Sequence, residues 1–379
     1  MPSRLNSRPP YTPKNASVTA SATTPPLPPF TLDRVAIVMM SAVGDAVHVM
    51  PIIHAIKAHA PASRITWVLQ PGPATLVRGH PLVDDIVLFD RTQGWKGFLK
   101  TRRELASRQF DVVLALQVYF KAGLITGFTH APVKLGFDRE RARDANWLFT
   151  THRIRPHTGQ HVQDQYFEFI DALGVPHGDP QWTLGPWNDE ERAWQRDFHA
   201  QFDRPIAPIV VATSKAAKDW MPERWAAVCH ILWNDFGLQP VLVGGRSPRE
   251  LAAEAIILRD APMAHSALGS GLRRLAAILD GAAVALSPDT GPLHLAIALR
   301  TPVISLLGYT NPKRVGPYDF SRDLMIDAYG DPGEDYPLDM TYRDDRMPRI
   351  TVDDVRTMLR RWQERYRTPR SATVIGPNA

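Results

Sequence analysis

Three residues able to do chemistry interrupt an otherwise apolar stretch near the start of the chain. The segment MMSAVGDAVHVMP, residues 39–51, holds Gly44, Asp45 and His48 where an apolar strand passes into a helix. A glycine lets the backbone approach a ligand closely, and a carboxylate in the first helical turn is stabilised by the helix dipole. Asp45 is therefore either an ordinary helix cap or a carboxylate that takes a proton from a substrate.

A second group lies in the stretch SPDTGPLHLAIALRTPVISLLGYTNP, residues 287–312. Asp289, Thr290 and Gly291 form a turn after an apolar strand, and a proline typical of the first helical turn follows them. The N–H groups at such a helix start bind anions, although Asp289 and Thr290 equally suit a simple helix cap. The turn predicts an anion site, with His294 one turn further along the helix.

Two further turns carry groups that suit a phosphorylated ligand. In the stretch ATSKAAKDWMPERWAAV, the side chains of Thr213, Ser214 and Lys218 can all meet a diphosphate. In VLVGGRSPRE, two glycines follow a strand, and the nearest carboxylate is Glu250. Glu250 is either a ligand contact or a plain carboxylate at the start of a helix.

These turns belong to a regular alternation of strands and helices. The predicted strands are residues 35–40, 65–69, 86–89 and 112–116 in a first series, and 209–212, 241–243, 284–287 and 303–307 in a second. Such β-α alternation indicates an α/β protein with parallel sheets, whose ligands lie at the carboxyl ends of the strands. The two series predict two Rossmann-like domains with the site in the cleft between them.

The domain borders follow from this alternation. Residues 1–33 are rich in Pro, Ser, Thr and Ala, so a disordered tail is predicted. Residues 34–185 and 186–348 are the two predicted domains. An amphipathic closing helix is predicted within 349–368, and a flexible tail over 369–379.

Composition narrows the class of protein. With 379 residues, 44% hydrophobic and 22% charged, the chain is typical of a soluble two-domain protein. It shows no bilayer-spanning run and no signal-peptide pattern, so a cytoplasmic location is expected. The single cysteine, Cys229, argues against a disulfide framework or a cysteine zinc site. The formal charge of +5 favours an anionic partner. Because the sequence shows no nucleic-acid-binding motif, we do not expect that partner to be a nucleic acid.

Two of the stretches resemble motifs of one enzyme family. The spacing D-T-G-x-x-H-L-A-x-A-L-x-x-P-V-I-x-L-x-G-x-T-x-P in residues 287–312 resembles the C-terminal signature of glycosyltransferase family 9, the bacterial lipopolysaccharide heptosyltransferases. Residues 212–228 are similar to the family pattern A-T-x-x-x-x-K-x-W-P-x-x-x-W, except that Met221 is inserted before Pro222. The insertion leaves the geometry of the local loop open.

The resemblance extends over roughly residues 34–365 and implies a GT-B fold. In that fold the N-terminal domain takes the acceptor and the C-terminal domain takes the nucleotide sugar. The donor contacts implied by the matching positions are Thr213, Ser214, Lys218, Glu250, Asp289, Thr290, Gly291 and His294.

On the acceptor side the sequence is most similar to heptosyltransferase I. The family's G-D-x-x-H-x-x-P carboxylate acts as the base, which implies that role for Asp45, with Lys218 as the second catalytic residue. Family acceptors carry carboxylates and phosphates, which suit arginine. The implied acceptor contacts are Gly44, His48, Gln117, Lys121, Arg139, Arg141 and Arg143, with His161 as a further candidate.

The resemblance implies an inverting glycosyltransferase that moves a heptose from ADP-heptose to the inner core of lipopolysaccharide. Lys218 and the helix start after Asp289 would stabilise the leaving diphosphate, and there is no D-x-D triplet, so neither a metal nor a cofactor is expected. An anionic lipid-linked acceptor would bring the protein to the cytoplasmic face of the inner membrane.

Two alternatives come from other classes of protein. A nucleotide-sugar-binding protein of the same fold that lacks catalysis stays open, and a transfer or donor-hydrolysis assay distinguishes it. A dehydrogenase would need a G-x-G-x-x-G turn after a strand. Residues 39–46 contain a single glycine, which argues against that reading.

Overall fold

The structure is a computed structural model that describes residues 27–367. It contains two six-stranded sheets, each with parallel neighbours and helices packed around it. This confirms the predicted α/β architecture of two Rossmann-like units.

The first sheet has the strand order β3-β2-β1-β4-β5-β6. Its strands are β1 (Arg34–Val38), β2 (Arg64–Leu69), β3 (Asp85–Leu88), β4 (Val112–Ala115), β5 (Val133–Gly136) and β6 (His152–Arg153). The associated helices are α1 (Val43–His59), α2 (Pro71–Val77), α3 (Gly94–Ala106), α4 (Phe120–Gly127) and α5 (Val162–Ala172), with 3₁₀ turns at Arg91–Gln93 and Asn146–Phe149. The central strands are buried apolar runs, as parallel strands covered on both faces require.

The second sheet has the order β12-β11-β10-β7-β8-β9. Its strands are β7 (Ile206–Val210), β8 (Gln239–Val243), β9 (His265–Ser266), β10 (Ala285–Pro288), β11 (Val303–Leu307) and β12 (Met325–Asp327). The helices are α6 (Asp189–His199), α7 (Pro222–Asp235), α8 (Pro248–Asp260), α9 (Leu272–Asp280), α10 (Gly291–Ala298), α11 (Pro312–Val315) and α12 (Val352–Tyr366). Three 3₁₀ turns cover Ala216–Lys218, Arg322–Leu324 and Met347–Arg349.

The eight predicted strands correspond to β1 to β4, β7, β8, β10 and β11, whereas two neighbouring strands of the first sheet and both edge strands of the second were missed. The missed strands are β5, β6, β9 and β12, which have two to four residues each. Such short runs carry too few residues to show a periodicity. The polar stretch expected between the domains also contains α6, whose Asn188 cap accepts a hydrogen bond from the N–H of Glu191 at 2.8 Å.

Helix α1 joins the two domains. Its residues are apolar on almost every side and mostly buried, which is typical of a helix enclosed by other elements. It packs against α5 in its own domain and against α10 in the second domain. One apolar core therefore continues through both halves of the molecule.

The ends of the described region are attached to this core. Leu32 is buried, and Leu27 and Phe30 pack on the same cluster, so residues 27–33 do not form the free tail that was predicted; the rest of that tail lies outside the described residues. The predicted closing helix is α12, and the indole of its Trp362 donates to the carbonyl of Ala283 at 3.1 Å. Between residues 27 and 367, no helix has the length and apolar character needed to cross a membrane.

Candidate active site

The candidate site lies where the carboxyl ends of the two sheets meet. In each sheet, connections leave two neighbouring central strands in opposite directions, which opens a crevice at the strand ends. Asp45 and Gln117 follow β1 and β4, and Thr213 and Asp289 follow β7 and β10. The fold thus brings the chemistry-bearing turns to two facing crevices.

Asp45 occupies the third position of α1 and is held by two neutral donors. Its Oδ2 accepts a hydrogen bond from the N–H of Ala42 at 2.8 Å, and its Oδ1 accepts one from the hydroxyl of Tyr166 at 3.1 Å. Burial raises the pKa of this carboxyl, and the two hydrogen bonds and the nearby His294 offset that effect only in part. Asp45 is a helix cap, as its position suggests, and also a carboxylate made more basic by its surroundings.

Glycines allow the two domains to touch beside Asp45. A Cβ atom on Gly44 would lie 2.7 Å from Cδ2 of His294, and one on Gly291 would lie 2.8 Å from Cβ of Val43. The N-terminal ends of α1 and α10 can therefore approach only because these positions lack a side chain. Gly44 and Gly291, predicted as ligand contacts, serve contact between the domains here.

His48 faces the second domain. Its Nδ1 lies 2.9 Å from Oε1 of Gln163, and its Nε2 lies 3.2 Å from Nδ1 of His294. Gln163 also donates its Nε2–H to the carbonyl of His48, so its Oε1 is the acceptor for the ring. Burial lowers the pKa of His48 far below its usual value, so the ring is neutral. Both ring nitrogens are thus engaged by protein groups, and contact between His48 and the acceptor stays a prediction.

Lys218 and Asp289 form an ion pair across the second crevice. The Nζ of Lys218 lies 2.5 Å from Oδ2 of Asp289, and His294 Nε2 lies 3.7 Å from the other carboxylate oxygen. Burial opposes ionisation of Asp289, but His294 and the charge of Lys218 outweigh it and hold the pKa of Asp289 well below its usual range. This carboxylate therefore stays charged and fixes the lysine at the crevice.

A short network positions the loop that carries Lys218. The N–H of Thr213 donates to Asp219 at 2.6 Å, and the guanidinium of Arg249 donates to the carbonyl of Thr213 at 2.8 Å and pairs with Asp219. Met221 is the residue that precedes α7, so the predicted insertion is absorbed at the start of that helix. Sequence reasoning missed Asp219 and Arg249, which face each other from turns thirty residues apart.

A cavity of about 710 Å³ opens beside this loop in the second domain. Thr213, Ser214, Glu250 and Thr290 line its polar side. The apolar side is formed by Ala267, Leu272, Leu275, Ile278 and Pro292. A nucleotide base on the apolar wall, with phosphates toward the hydroxyl groups, fits such a lining. Thr290, which follows Asp289 in the chain, belongs to the lining.

Glu250 has a clear structural role at this cavity. Its two carboxylate oxygens accept hydrogen bonds from the N–H groups of Gly245 at 2.6 Å and Ser247 at 2.8 Å, which caps α8. Of its two predicted readings, the structure supports the carboxylate at a helix start, with its side chain at the cavity wall. A Cβ on Gly245 would lie 2.9 Å from Glu250, so the glycine makes room for this cap.

Gln117 organises the first crevice. Its Nε2 donates to the carbonyl of Ser41 at 2.6 Å, and its Oε1 accepts from the N–H of Met40 at 3.1 Å. It therefore ties the end of β4 to the loop before Asp45.

Lys121 is exposed on α4, and His161 is buried with its Nε2 2.9 Å from the carbonyl of Gly316. Burial lowers the pKa of His161 to about 3, which makes it a structural histidine.

The three predicted acceptor arginines do not act as one group. Arg141 donates to Asp138, Glu168 and the carbonyl of Arg155 at 2.5 to 2.8 Å. These bonds engage its guanidinium within the protein, and contact between Arg141 and the acceptor stays a prediction. Arg139 is exposed and lies 4.2 Å above the ring of Trp147.

Arg143 reaches across to the second domain. Its Nη2 lies 3.3 Å from the sulfur of Met340, and its side chain is exposed. In the described part of the chain, no three or more His, Cys, Asp or Glu side chains are grouped to hold a metal ion.

Tyr166 and Gln163 are site residues that sequence reasoning missed. Both lie on the face of α5 that packs against α1, more than 110 positions from their partners. The only available signal was polar residues three positions apart in an otherwise apolar helix face.

Comparisons with known proteins place this geometry in context. The family model of glycosyltransferase family 9 (heptosyltransferase) matches residues 98–330. The lipopolysaccharide core heptosyltransferase OpsX of Haemophilus influenzae is 32% identical, over 77% of this chain and 84% of its own length.

Two solved structures are also similar. A glycosyl transferase of family 9 from Veillonella parvula has a TM-score of 0.73 at 21% identity and is covered over 97% of its length, against 87% of this chain. The E. coli heptosyltransferase WaaC with ADP has a TM-score of 0.69 at 23% identity, covering 99% of its length and 87% of this chain. These similarities confirm the predicted GT-B fold.

Proposed function

This chain belongs to glycosyltransferase family 9, and from that premise we propose that it transfers a heptose from ADP-heptose to the inner core of lipopolysaccharide. The donor assignment is supported by the cavity beside Lys218, which suits a nucleoside diphosphate, and by the WaaC structure with ADP. The acceptor assignment is supported by the activity named for the Haemophilus influenzae relative.

The observation that carries the proposal is the opposition of Asp45 to the Lys218–Asp289 pair. The two groups come from different domains, and the contact between Gly44 and His294 brings them to one place. Asp45, whose pKa is raised, suits the removal of a proton from the acceptor. The ammonium of Lys218, held by Asp289, suits the stabilisation of negative charge that develops on the donor.

We propose that Asp45 takes the proton of the acceptor hydroxyl, whose oxygen attacks the anomeric carbon of the donor. The bond from that carbon to the diphosphate breaks, and ADP leaves on the opposite face, which inverts the configuration. Lys218 and the N-terminal end of α10 stabilise the leaving diphosphate, so the step proceeds without a metal ion. Tyr166 keeps Asp45 in position through its hydrogen bond.

An assay with the purified full-length protein tests this proposal. Incubation with ADP-heptose and a heptose-deficient lipopolysaccharide acceptor should give a product heavier by one heptose in mass spectrometry, with inverted anomeric configuration by NMR. Chelator should leave the rate unchanged. Transfer from another nucleotide sugar alone would overturn the donor assignment, and tight donor binding with neither transfer nor hydrolysis would favour a non-catalytic binding protein.

The proposed acceptor also determines where the enzyme acts. A lipid-linked anionic glycan places it in the cytoplasm, at the surface of the inner membrane, and the net charge of +5 suits such a surface. Nucleic acid has no part in this proposal.

A further inference from the structure

Helix α3 has an unusual outer face. The segment 91–103 contains five cationic residues and no acidic one: Arg91, Lys96, Lys100, Arg102 and Arg103. The four that belong to α3 are exposed, and within residues 27–367 none of them forms an ion pair shorter than 4 Å. Trp95 stands among them with 69% of its surface exposed.

Other helices with basic residues differ from this pattern. In α12, Arg356 lies 3.1 Å from Asp353 and Arg365 lies 2.7 Å from Asp323, while Trp362 is buried. These two arginines of α12 are thus paired within the protein and its tryptophan serves the core, while Arg360 of the same helix is exposed. In α3, by contrast, the four cations face solvent with no ion pair within 4 Å among residues 27–367, although Lys100 interacts with the charge of Asp90 and Glu104 lies on the same helix. The exposed tryptophan beside them adds a cost in exposed apolar surface.

A second exposed aromatic group lies at the start of α4. Tyr119 and Phe120 are each nearly half exposed, and Leu148, in the turn packed on α4, is 62% exposed. Helices α3 and α4 pack into the same apolar cluster, on one face of the first sheet. Both begin at its carboxyl edge, because they follow β3 and β4. Hence the exposed aromatic residues of both helices lie at the edge that faces the cleft.

We propose that this α3–α4 surface, which consists of Trp95, Lys96, Lys100, Tyr119, Phe120 and Leu148, docks the enzyme on an anionic lipid bilayer. Tryptophan and tyrosine favour the interface between headgroups and acyl chains, and unpaired lysines are attracted to anionic headgroups. The inward face of α3, with Gly97, Thr101 and Leu105, is buried against the domain, so the outer face alone is free for the bilayer.

The inference deepens the proposed function and rests on it for its purpose. An acceptor embedded in a bilayer must reach the first crevice, and the docking surface lies at the same edge of the first sheet as that crevice. Docking would bring the acceptor headgroup beside Gln117 and Asp45 while the lipid stays in the membrane. Membrane binding itself can be measured whether or not the chain transfers heptose.

Vesicle flotation of the full-length protein tests the docking surface. The wild type should float with phosphatidylcholine vesicles that contain phosphatidylglycerol, and much less with phosphatidylcholine alone, at physiological ionic strength. Lys96→Glu combined with Lys100→Glu should weaken this partitioning at least about tenfold, and Trp95→Ala should weaken it several-fold. The matched control is Arg196→Glu with Arg360→Glu, two exposed arginines of the second domain, which changes net charge equally.

The outcomes separate this inference from the proposed function. Equal loss of vesicle binding in the α3 variants and the control, or no loss in either, would overturn the docking surface. So would retention of an oligonucleotide, but not of vesicles, through the same lysines. The α3 variants should keep wild-type transfer to a deacylated, water-soluble acceptor and lose transfer to a vesicle-embedded one. A wild type inactive on both acceptors would instead refute the proposed function, and flotation would still report on docking.

Discussion

Asp45 and Asp289 both follow central strands, yet their surroundings shift the pKa values of the two carboxyl groups in opposite directions. Within residues 27–367, Asp45 accepts hydrogen bonds only from an amide and a tyrosine, so burial prevails and its pKa rises. Asp289 is the more deeply buried of the two, yet His294 and Lys218 hold its pKa well below normal. The partner, more than the depth of burial, decides whether a carboxylate takes up a proton or serves as a fixed charge.

Removal of Asp45 should have the largest effect. We expect Asp45→Asn to lower kcat by about 10²–10⁴, the usual contribution of a general base, while the donor still binds in calorimetry. The control is Asp164→Asn, because burial also raises the pKa of Asp164, which accepts from the hydroxyl of Tyr318. Normal turnover in Asp45→Asn, or an equal loss in both variants, would mean that Asp45 is only a cap.

Removal of Lys218 tests the charged pair that Asp289 forms on the donor side. Lys218→Met should lower kcat roughly 10²-fold or more, because the leaving diphosphate loses a fixed positive charge. Lys215 belongs to the same loop but lies 4.5 Å from the ring of Tyr342, so Lys215→Met should have little effect. Steady-state kinetics on both variants decide the matter; similar losses would show that the loop acts through its overall charge.

Tyr166 should tune the basicity of Asp45. Its hydrogen bond lowers the pKa of Asp45, so Tyr166→Phe should raise that pKa and move the acid limb of the kcat/KM profile to higher pH. A loss of about two- to tenfold in rate is expected for one hydrogen bond. Tyr318→Phe, which removes the matching bond to Asp164, should leave the limb in place. A limb that moves to lower pH contradicts this assignment.

The smallest effects should appear in thermal stability, with opposite signs. Burial destabilises charged Asp45, so Asp45→Asn should raise Tm by about 1–3 °C at neutral pH. Asp289→Asn should lower Tm, since its ion pair stabilises the fold above the pKa of an unfolded aspartate. The Asp45 difference should fade as the pH falls from neutral toward about 4, because its folded-state pKa lies above the unfolded value. The Asp289 difference should fade only as the pH falls further, below about 4, because its folded-state pKa lies below the unfolded value. Scanning calorimetry across pH measures the two Tm differences. Shifts of the same sign in both variants would refute the opposite roles assigned to Asp45 and Asp289.

The elements nearest the site were the most predictable. Apolar runs fully buried in the sheets identified the central strands, and the turn residues after them identified Asp45, Lys218 and Asp289 as neighbours of one cleft. The two-residue strands β6 and β9 escaped because so short a run carries no period.

The partners of the site residues were not predictable from local pattern. Nothing in the spacing showed that Tyr166 would bind Asp45, since the two are 121 positions apart and meet only through helix packing. Arg141 illustrates the same limit, because its charge suggested an anionic ligand while tertiary structure added Glu168 to the local partner Asp138. Chain position gives the type of group at a site, but long-range contacts decide its role.

The identical strand order of the two sheets has a consequence for how the specificity of such an enzyme can change. Counted from its own first strand, each half has the order 3-2-1-4-5-6, so one architecture supplies both crevices. The proposed proton acceptor lies in one copy and the nucleotide cavity in the other. Substitutions at one crevice can therefore alter acceptor choice while the framework of the other stays intact, which makes the two specificities separable modules for evolution and for engineering.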